Sequence, residues 1–203
     1  MTDFFNIARE RRSTKVYDPN LEIPREELLE ILEVAGRAPS AWNLQHWQFL
    51  VFDNKELQQR LLPITFNQQQ FADASAVVAI LGDLEANKNT DKVFDPSIER
   101  GEMTPELKEI LRGQIEGAYR RKEYPRDAAF LNASLAAMQL MLAAKAKGWD
   151  SCPVGGFDPA KLMEEFNVSD RYIPVMLITI GKPLKEARKT DRLDIHDLIT
   201  WAK

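Results

Sequence analysis

Cysteine is nearly missing from this chain of 203 residues: Cys152 stands alone, so no disulfide can form within it. Histidine is almost as scarce. His46 and His196 lie far apart, and nothing in their spacing suggests a Cys/His metal cluster or a Ser/His/Asp or Cys/His catalytic arrangement. Neither a Walker-type loop nor a Rossmann glycine fingerprint is present, which excludes the usual glycine-rich phosphate cradles. Positive charge is not in excess either. Lys and Arg total 27 against 31 Asp and Glu, a net charge of -4, so no nucleic-acid partner is expected and any anion site must be local. Long unbroken apolar runs are absent: the longest, 128–146, is interrupted by Asn132, Ser134, Gln139 and Lys145, so no membrane span is expected. The opening Met1-Thr2-Asp3-Phe4 lacks the basic-then-apolar pattern of a secretory leader, and a cytoplasmic location is the expectation.

What is present is ordinary core-forming composition, 44% hydrophobic and 29% charged, over a length that suits one domain spanning 1–203. No internal repeat, low-complexity segment or linker breaks it. Residues 3–11 read as a short amphipathic helix with Phe4, Ile7 and Ala8 on one face. Pro24 suits a helix's first turn, and Leu28, Leu29, Leu32 and Ala35 continue an apolar stripe that ends near Gly36, before Ala38-Pro39. Strands are predicted at 47–53, 76–81 and 174–180. Thr104-Pro105 marks a helix start, as does Asp158-Pro159. The longest helix is predicted over 126–147 and stopped by Gly148. It is apolar nearly all round, with Leu131, Leu135, Met138 and Leu142 on one side and Phe130, Ala133, Ala137, Met141 and Ala144 on another. Such a helix is buried on both sides, either by its own chain or by a second subunit. The C-terminal stretch is polar until Leu198, Ile199 and Trp201, an ending that should dock on the chain's own core or on a partner. Helices and strands mix without a βαβ rhythm, which points to α+β.

Chemistry could sit in several segments. Arg11-Arg12-Ser13-Thr14-Lys15 offers three cations and two hydroxyls after a helix, the donors a dianionic phosphate wants; a short basic run can equally be a solvated face. The connection 38–47 carries Pro39, Ser40, Asn43, Gln45 and two tryptophans, and is either a ligand-binding loop or a turn whose Trp42 and Trp47 cap the core. The adjacent Gly155 and Gly156 allow close approach of backbone to a flat ligand, or simply a tight strand-to-helix turn. Arg188-Lys189 and Arg192 form a second basic cluster near the other end.

Taken in order along nearly the whole chain, these segments resemble the nitroreductase family of FMN-dependent enzymes. Arg11-Arg12-Ser13-Thr14-Lys15 with Tyr17 resembles the family's N-terminal phosphate motif, and Ala38-Pro39-Ser40 with Asn43, Gln45 and Trp47 its second motif. Phe66-Asn67 before Asp73-Ala74-Ser75 is similar to a third, Pro153-Val154-Gly155-Gly156-Phe157-Asp158 to the loop under the flavin ring, and Arg192-Leu193 to the C-terminal phosphate contact. The resemblance implies a central, mainly antiparallel sheet flanked by helices in an intertwined homodimer. It implies that Arg11, Arg12, Ser13 and Lys15 hold the FMN phosphate and ribityl chain, joined by Arg192. Asn67 would bond the polar edge of the isoalloxazine, Gly155 and Gly156 would lie near N5, and Pro39, Ser40 and Asn43 would reach the flavin of the opposite subunit. Two positions depart from the pattern: Gly155 stands where many members carry an acidic residue, and Thr190 where others carry a cation.

The resemblance further implies a ping-pong cycle in which NAD(P)H reduces the flavin and a small acceptor, a nitroaromatic or a quinone, reoxidises it. The cofactor carries the chemistry, so no catalytic side chain and no metal is expected. Residues 91–126 would form a helical insertion over the pocket, with Tyr119 and Tyr124 as its aromatic wall or as plain helix-surface tyrosines. Alternatives on the same scaffold are a flavin-binding redox sensor and a dehalogenase-like relative; a helical interaction module without cofactor would leave the basic run unexplained.

Overall fold

The computed structural model describes residues 3–202; Met1 and Thr2, on which the leader reading partly rests, and Lys203 lie outside that range. Four strands, β1 (Trp47–Phe52), β2 (Ala76–Asp83), β3 (Asp150–Val154) and β4 (Tyr172–Gly181), form a wholly antiparallel sheet in the order β1-β2-β4-β3. The fold is α+β. Helices α1 (Phe4–Glu10), α2 (Arg25–Gly36), α3 (Lys55–Leu61), α4 (Gln70–Asp73), α5 (Thr90–Glu99), α6 (Pro105–Tyr119), α7 (Tyr124–Ala146) and α8 (Pro159–Glu165) surround it.

The central strands have no polar face because both faces are covered. Successive side chains on a strand point to opposite sides. On β2, Ala76, Val78 and Ile80 accordingly join α2 and α7 through Leu28, Ile31, Ala133, Ala137 and Leu140. The intervening Val77, Ala79 and Leu81 face Tyr17, Leu61, Phe71 and Leu162 in a second layer. Helix α7 lies close to the sheet because its inner face is mostly alanine and Gly82 sits opposite. A Cβ on Gly82 would come within 3.0 Å of the Ala129 Cβ.

Several sequence expectations shift in detail. Helix α7 starts at Tyr124 rather than 126. In α2, Ile31 is buried where Leu29 was expected, Leu29 being 56% exposed, and Pro24 caps the helix instead of lying in its first turn. Helix α3, capped by Asn54 accepting from the Leu57 amide, was not anticipated. The caps at Thr104 and Asp158 form as expected, each side chain accepting an amide proton three residues on. An 18-residue window of α7 has a mean hydropathy of 1.3, enough by composition to cross a membrane, yet half of that window is buried inside the protein. This helix is the core helix that spans the sheet.

Candidate functional site: a cationic cleft at the sheet edge

Strand β3 is an edge strand, which is why Pro153 can sit in it without breaking a ladder on both sides. Its free edge is met by the N-terminal segment. The Thr14 amide donates to Ser151 O at 3.1 Å, and Ser13 pairs with Ser151 as a parallel bridge. Further on, the Asp18 amide donates to Lys182 O at 3.0 Å, and the Leu184 amide donates to Val16 O at 3.0 Å. Residues 13–18 thus stitch β3 to the segment leaving β4. Tyr17 locks the seam. It is 1% exposed, its hydroxyl lies 2.8 Å from Thr179 Oγ1, and its ring packs on Gly181, where a Cβ would come within 2.7 Å. Burial holds the Tyr17 phenol above its ordinary pKa, so it stays neutral and structural.

Extended backbone makes side chains alternate, and that alternation sorts the basic run. Thr14 points inward, fully buried, its hydroxyl donating to Asp150 Oδ2 at 2.6 Å while Lys145 holds the other carboxylate oxygen at 2.8 Å. Ser13 and Lys15 point outward, to the same side as Arg11. They line a cleft of about 640 Å³ with Arg12, Cys152, Pro153, Lys185, Arg188, Thr190 and Arg192. Two clusters separated by the whole chain therefore meet in one cleft. The ion pair from Arg12 to Glu186 at 3.1 Å fastens the C-terminal segment across it.

One donor is conspicuously unspent: Arg11 Nη1 is buried and has no hydrogen-bond partner in the protein. A buried guanidinium nitrogen without an acceptor is costly, and an anion in the cleft would satisfy it. The floor is neutral. Burial pushes the Cys152 thiol up, against the pull of Lys15, Ser13 and Arg11, so no thiolate competes for the cations.

Along β3 the cleft leads to the glycine loop. Gly156 lies three residues past Pro153, roughly 10 Å on at strand rise. Gly155 and Gly156 are exposed, and the Gln68 side-chain amide donates to Gly156 O at 2.8 Å. The Asp158 amide donates to Ile64 O at 2.9 Å, which brings the Phe66-Asn67 turn alongside. Phe66 and Asn67 both hold positive φ, 55° and 57°. The Phe66-Asn67 turn and the glycine loop are thus neighbours, and the glycine loop follows directly on β3, whose Cys152 and Pro153 line the cleft.

Pro39, Ser40 and Asn43 are elsewhere in the chain. Pro39 borders an apolar groove with Phe4, Ile7, Leu135 and Met138, on the uncovered side of α7. The Ser40 hydroxyl accepts from the Gln45 amide at 3.0 Å, and the Ala41 amide donates to Oδ1 of the buried Asn132 at 2.9 Å. Trp42, Asn43 and Gln45 hold φ of 50°, 56° and 52°, left-handed conformations that cost energy in residues other than glycine. Trp42 packs edge-on to Tyr124 at 6.3 Å between centroids, and Tyr124 to Tyr119 at 5.4 Å. Those tyrosines form an aromatic cluster and are not isolated surface residues.

Lys185 and Cys152 belong to the cleft and were not singled out as binding residues. Cys152 could not be, since only the pairing of 13 with 151 shows that it lines the cleft. Lys185 follows the Tyr17–Pro183 bridge, a contact invisible to local pattern.

Comparison with known proteins bears on this geometry. The Nitroreductase family profile matches residues 8–182. The Bacillus subtilis (strain 168) protein YodC, provisionally named an NAD(P)H nitroreductase, is 52% identical over 201 residues, covering 99% of this chain and 100% of its own. A crystal structure from Exiguobacterium sibiricum in complex with FMN superposes with a TM-score of 0.92 at 39% identity, covering 100% of this chain and 98% of that one. A Staphylococcus epidermidis structure, provisionally named an NAD(P)H:FMN oxidoreductase, gives 0.93 at 36% identity, covering 100% of this chain and 97% of that one.

Proposed function

The chain belongs to the nitroreductase family of oxidoreductases, and on that premise we propose that it binds FMN with the phosphate in the cationic cleft and the ring toward the glycine loop. The observation that carries this reading is the meeting of Arg11, Ser13, Lys15 and Arg192 around one cleft, with a buried Arg11 nitrogen lacking an acceptor. Guanidinium forks bind phosphate oxygens in pairs, Lys15 adds charge, and Ser13 fills a remaining lone pair. Arg12, held by Glu186, keeps the C-terminal segment over the phosphate. Asn67 and the amides of Gly155 and Gly156 bond the polar edge of the ring and the region of N5. With glycine at position 155, that position adds no negative charge to oppose electron density arriving at the ring.

The chemistry supplied by bound FMN is hydride uptake from NAD(P)H at N5 and its delivery to a small acceptor, nitroaromatic or quinone, in a ping-pong cycle. The chain's residues bind, orient and exclude water; none is assigned a proton-transfer role. Trp42, Tyr119 and Tyr124 offer flat partners for a planar acceptor.

The second subunit completes the site. Leu131, Leu135 and Met138 leave the outer face of α7 open, 66%, 43% and 40% exposed, beside the Pro39 groove. A second copy covers that face, bringing Pro39, Ser40 and Asn43 to the opposite flavin. The apolar end of the chain, with Trp201 82% exposed, docks on the partner. We place the enzyme in the cytoplasm, as one domain over 1–203 with its helical insertion over the pocket at 91–126.

The deciding experiment is a visible spectrum of the purified protein before and after NADPH, then NADH. A yellow protein with about one flavin per chain that bleaches with nucleotide and recovers with a quinone or nitroaromatic supports the proposal. A colourless chain that takes up no FMN defeats it, and bleaching without turnover marks a redox sensor.

A further inference from the structure

The glycine loop after β3 is tethered to the body of the protein by glutamine side chains. Gln68 Nε2 donates to Gly156 O at 2.8 Å and to Thr65 O at 3.0 Å, so both of its amide hydrogens are spent. Its Oε1 accepts from Gln70 Nε2 at 2.9 Å. This pattern fixes which way the Gln68 carboxamide points, because the two carbonyls only accept and must face its nitrogen. Gln70 is 5% exposed at the start of α4, so a strut of two side chains runs from the packed interior to the loop. A second link is purely main chain, the Asp158 amide donating to Ile64 O at 2.9 Å.

Little else holds the loop in place. Nothing lies within 4 Å of a Cβ built on Gly155, and on Gly156 only Gln68 Nε2 does, at 3.9 Å. Glycine loses more backbone freedom on ordering than any other residue, so a pair of them needs an external anchor to keep one conformation. Among the described residues, none of the amides of Gly155, Gly156 and Phe157 donates to a backbone acceptor. The loop thus spends an acceptor on Gln68 and keeps its donors. That polarity matters beside a flavin. Oxidised N5 carries a lone pair and accepts a hydrogen bond, whereas reduced N5 carries a hydrogen and donates one. An amide N–H held against N5 therefore favours the oxidised form, and a carbonyl in its place favours the reduced form.

We propose that Gln68, braced by Gln70, is a positioning residue: it keeps the Gly156 carbonyl turned toward itself, leaves the loop amides free to face N5, and so holds down the reduction potential of bound FMN. The proposal rests on the reading above that the glycine loop lies beside N5. Gln68 acts through the loop and not on the acceptor. A lower potential makes the reduced cofactor a stronger donor to a quinone or nitroaromatic.

The test is the two-electron midpoint potential of the FMN-loaded protein, measured anaerobically against a reference dye for wild type, Gln68→Met and Gln70→Leu. Methionine keeps the length of Gln68 and removes its donor. Loss of a hydrogen bond that distinguishes the two redox states should raise the ratio of FMN dissociation constants, oxidised over reduced, about threefold to tenfold. In Gln68→Met that is a rise of about 15–30 mV. Gln70→Leu removes only the brace and should move the potential the same way by less. A loop that is merely loosened would weaken oxidised and reduced FMN equally, so an unchanged or lowered potential in Gln68→Met overturns the proposal. Should Gln68→Met fail to fold or to hold FMN, Gln70→Leu decides on the same criterion. A wild type that holds FMN beside variants of unaltered potential leaves the proposed function standing; a chain that takes up no FMN removes both.

Discussion

Arg11 is placed to lose most by mutation. It lines the cleft, and its Nη1 is buried without a partner. Hydrogen bonds to charged groups contribute about 1.5–3 kcal/mol each. Removing the Arg11 and Lys15 cations together should therefore cost about 3–6 kcal/mol of FMN binding, a rise in Kd of about two to four decades. Titration of Arg11→Ala/Lys15→Ala by flavin fluorescence measures this, with circular dichroism confirming that the fold is kept. An unchanged Kd would remove the phosphate assignment. His46 is a residue of a different kind. It is fully buried, neither ring nitrogen has a partner, and burial pushes its pKa down from 6.5 to about 4 despite the nearby Asp83. Between those values the unfolded chain binds a proton that the folded chain refuses. Its contribution is thus intact above about pH 6.5 and is lost as pH falls, reaching about 3 kcal/mol near pH 4. Many carboxylates titrate in the same window, so the useful quantity is a difference. Urea unfolding of wild type and His46→Phe should show the wild type losing more stability between pH 7 and pH 4.5; parallel curves would refute the assignment.

At the scale of elements, the loop 38–46 depends on one core polar residue. Asn132, 1% exposed on α7, accepts from the Ala41 amide and donates to Ala128 O at 2.7 Å. It holds a loop that carries several left-handed residues and has no regular structure beyond a short turn of helix at Ala41–Asn43. Asn132→Ala leaves the Ala41 amide without its acceptor, at a cost of about 1–3 kcal/mol. The expected result is a lower Tm and faster proteolytic cleavage within 38–46, with the rest of the chain resistant. Cleavage at the wild-type rate would mean that the loop is fixed by other contacts. Asn132 also shows how much of the fold was legible in the sequence. As an interruption in an apolar run it argued against a membrane span, but its partner lies 91 residues away and no periodicity reveals that. Strands 47–53, 76–81 and 174–180 and the proline-started helices were readable because each rests on a local signal, a short apolar run rich in β-branched and aromatic residues or a cap. Strand β3 was harder, being short and containing proline, and α3 harder still, since only the Asn54 cap announces it. The candidate site divides in the same way. Its basic runs were visible one by one, while their convergence depends on the pairing of residues 13–18 with 151 and 182–184.

For the whole molecule, the open face of α7 decides whether a single chain can have a complete site. The inner face is alanine-rich and fully used, with Ala129, Ala133, Ala136 and Ala137 at 0% exposure. The outer face presents Leu131, Leu135 and Met138 beside a groove of about 470 Å³ lined almost entirely by apolar atoms. Exposed apolar groups arranged contiguously mark an interaction surface, and a two-fold contact buries the same patch on both copies. Placing carboxylates there sets like charges against each other across the axis and adds desolvation to the loss of apolar contact. Leu135→Glu/Met138→Glu should therefore sediment as a monomer while keeping its helical circular dichroism, because neither side chain belongs to the alanine face that packs on the sheet. FMN affinity should fall with dimerisation although every residue of the cationic cleft is intact, since Pro39, Ser40 and Asn43 would no longer be supplied by a partner. Recovery of flavin binding at high protein concentration, tracking the return of the dimer, would tie the two losses together. A monomer with undiminished FMN affinity would show that each chain builds its site alone.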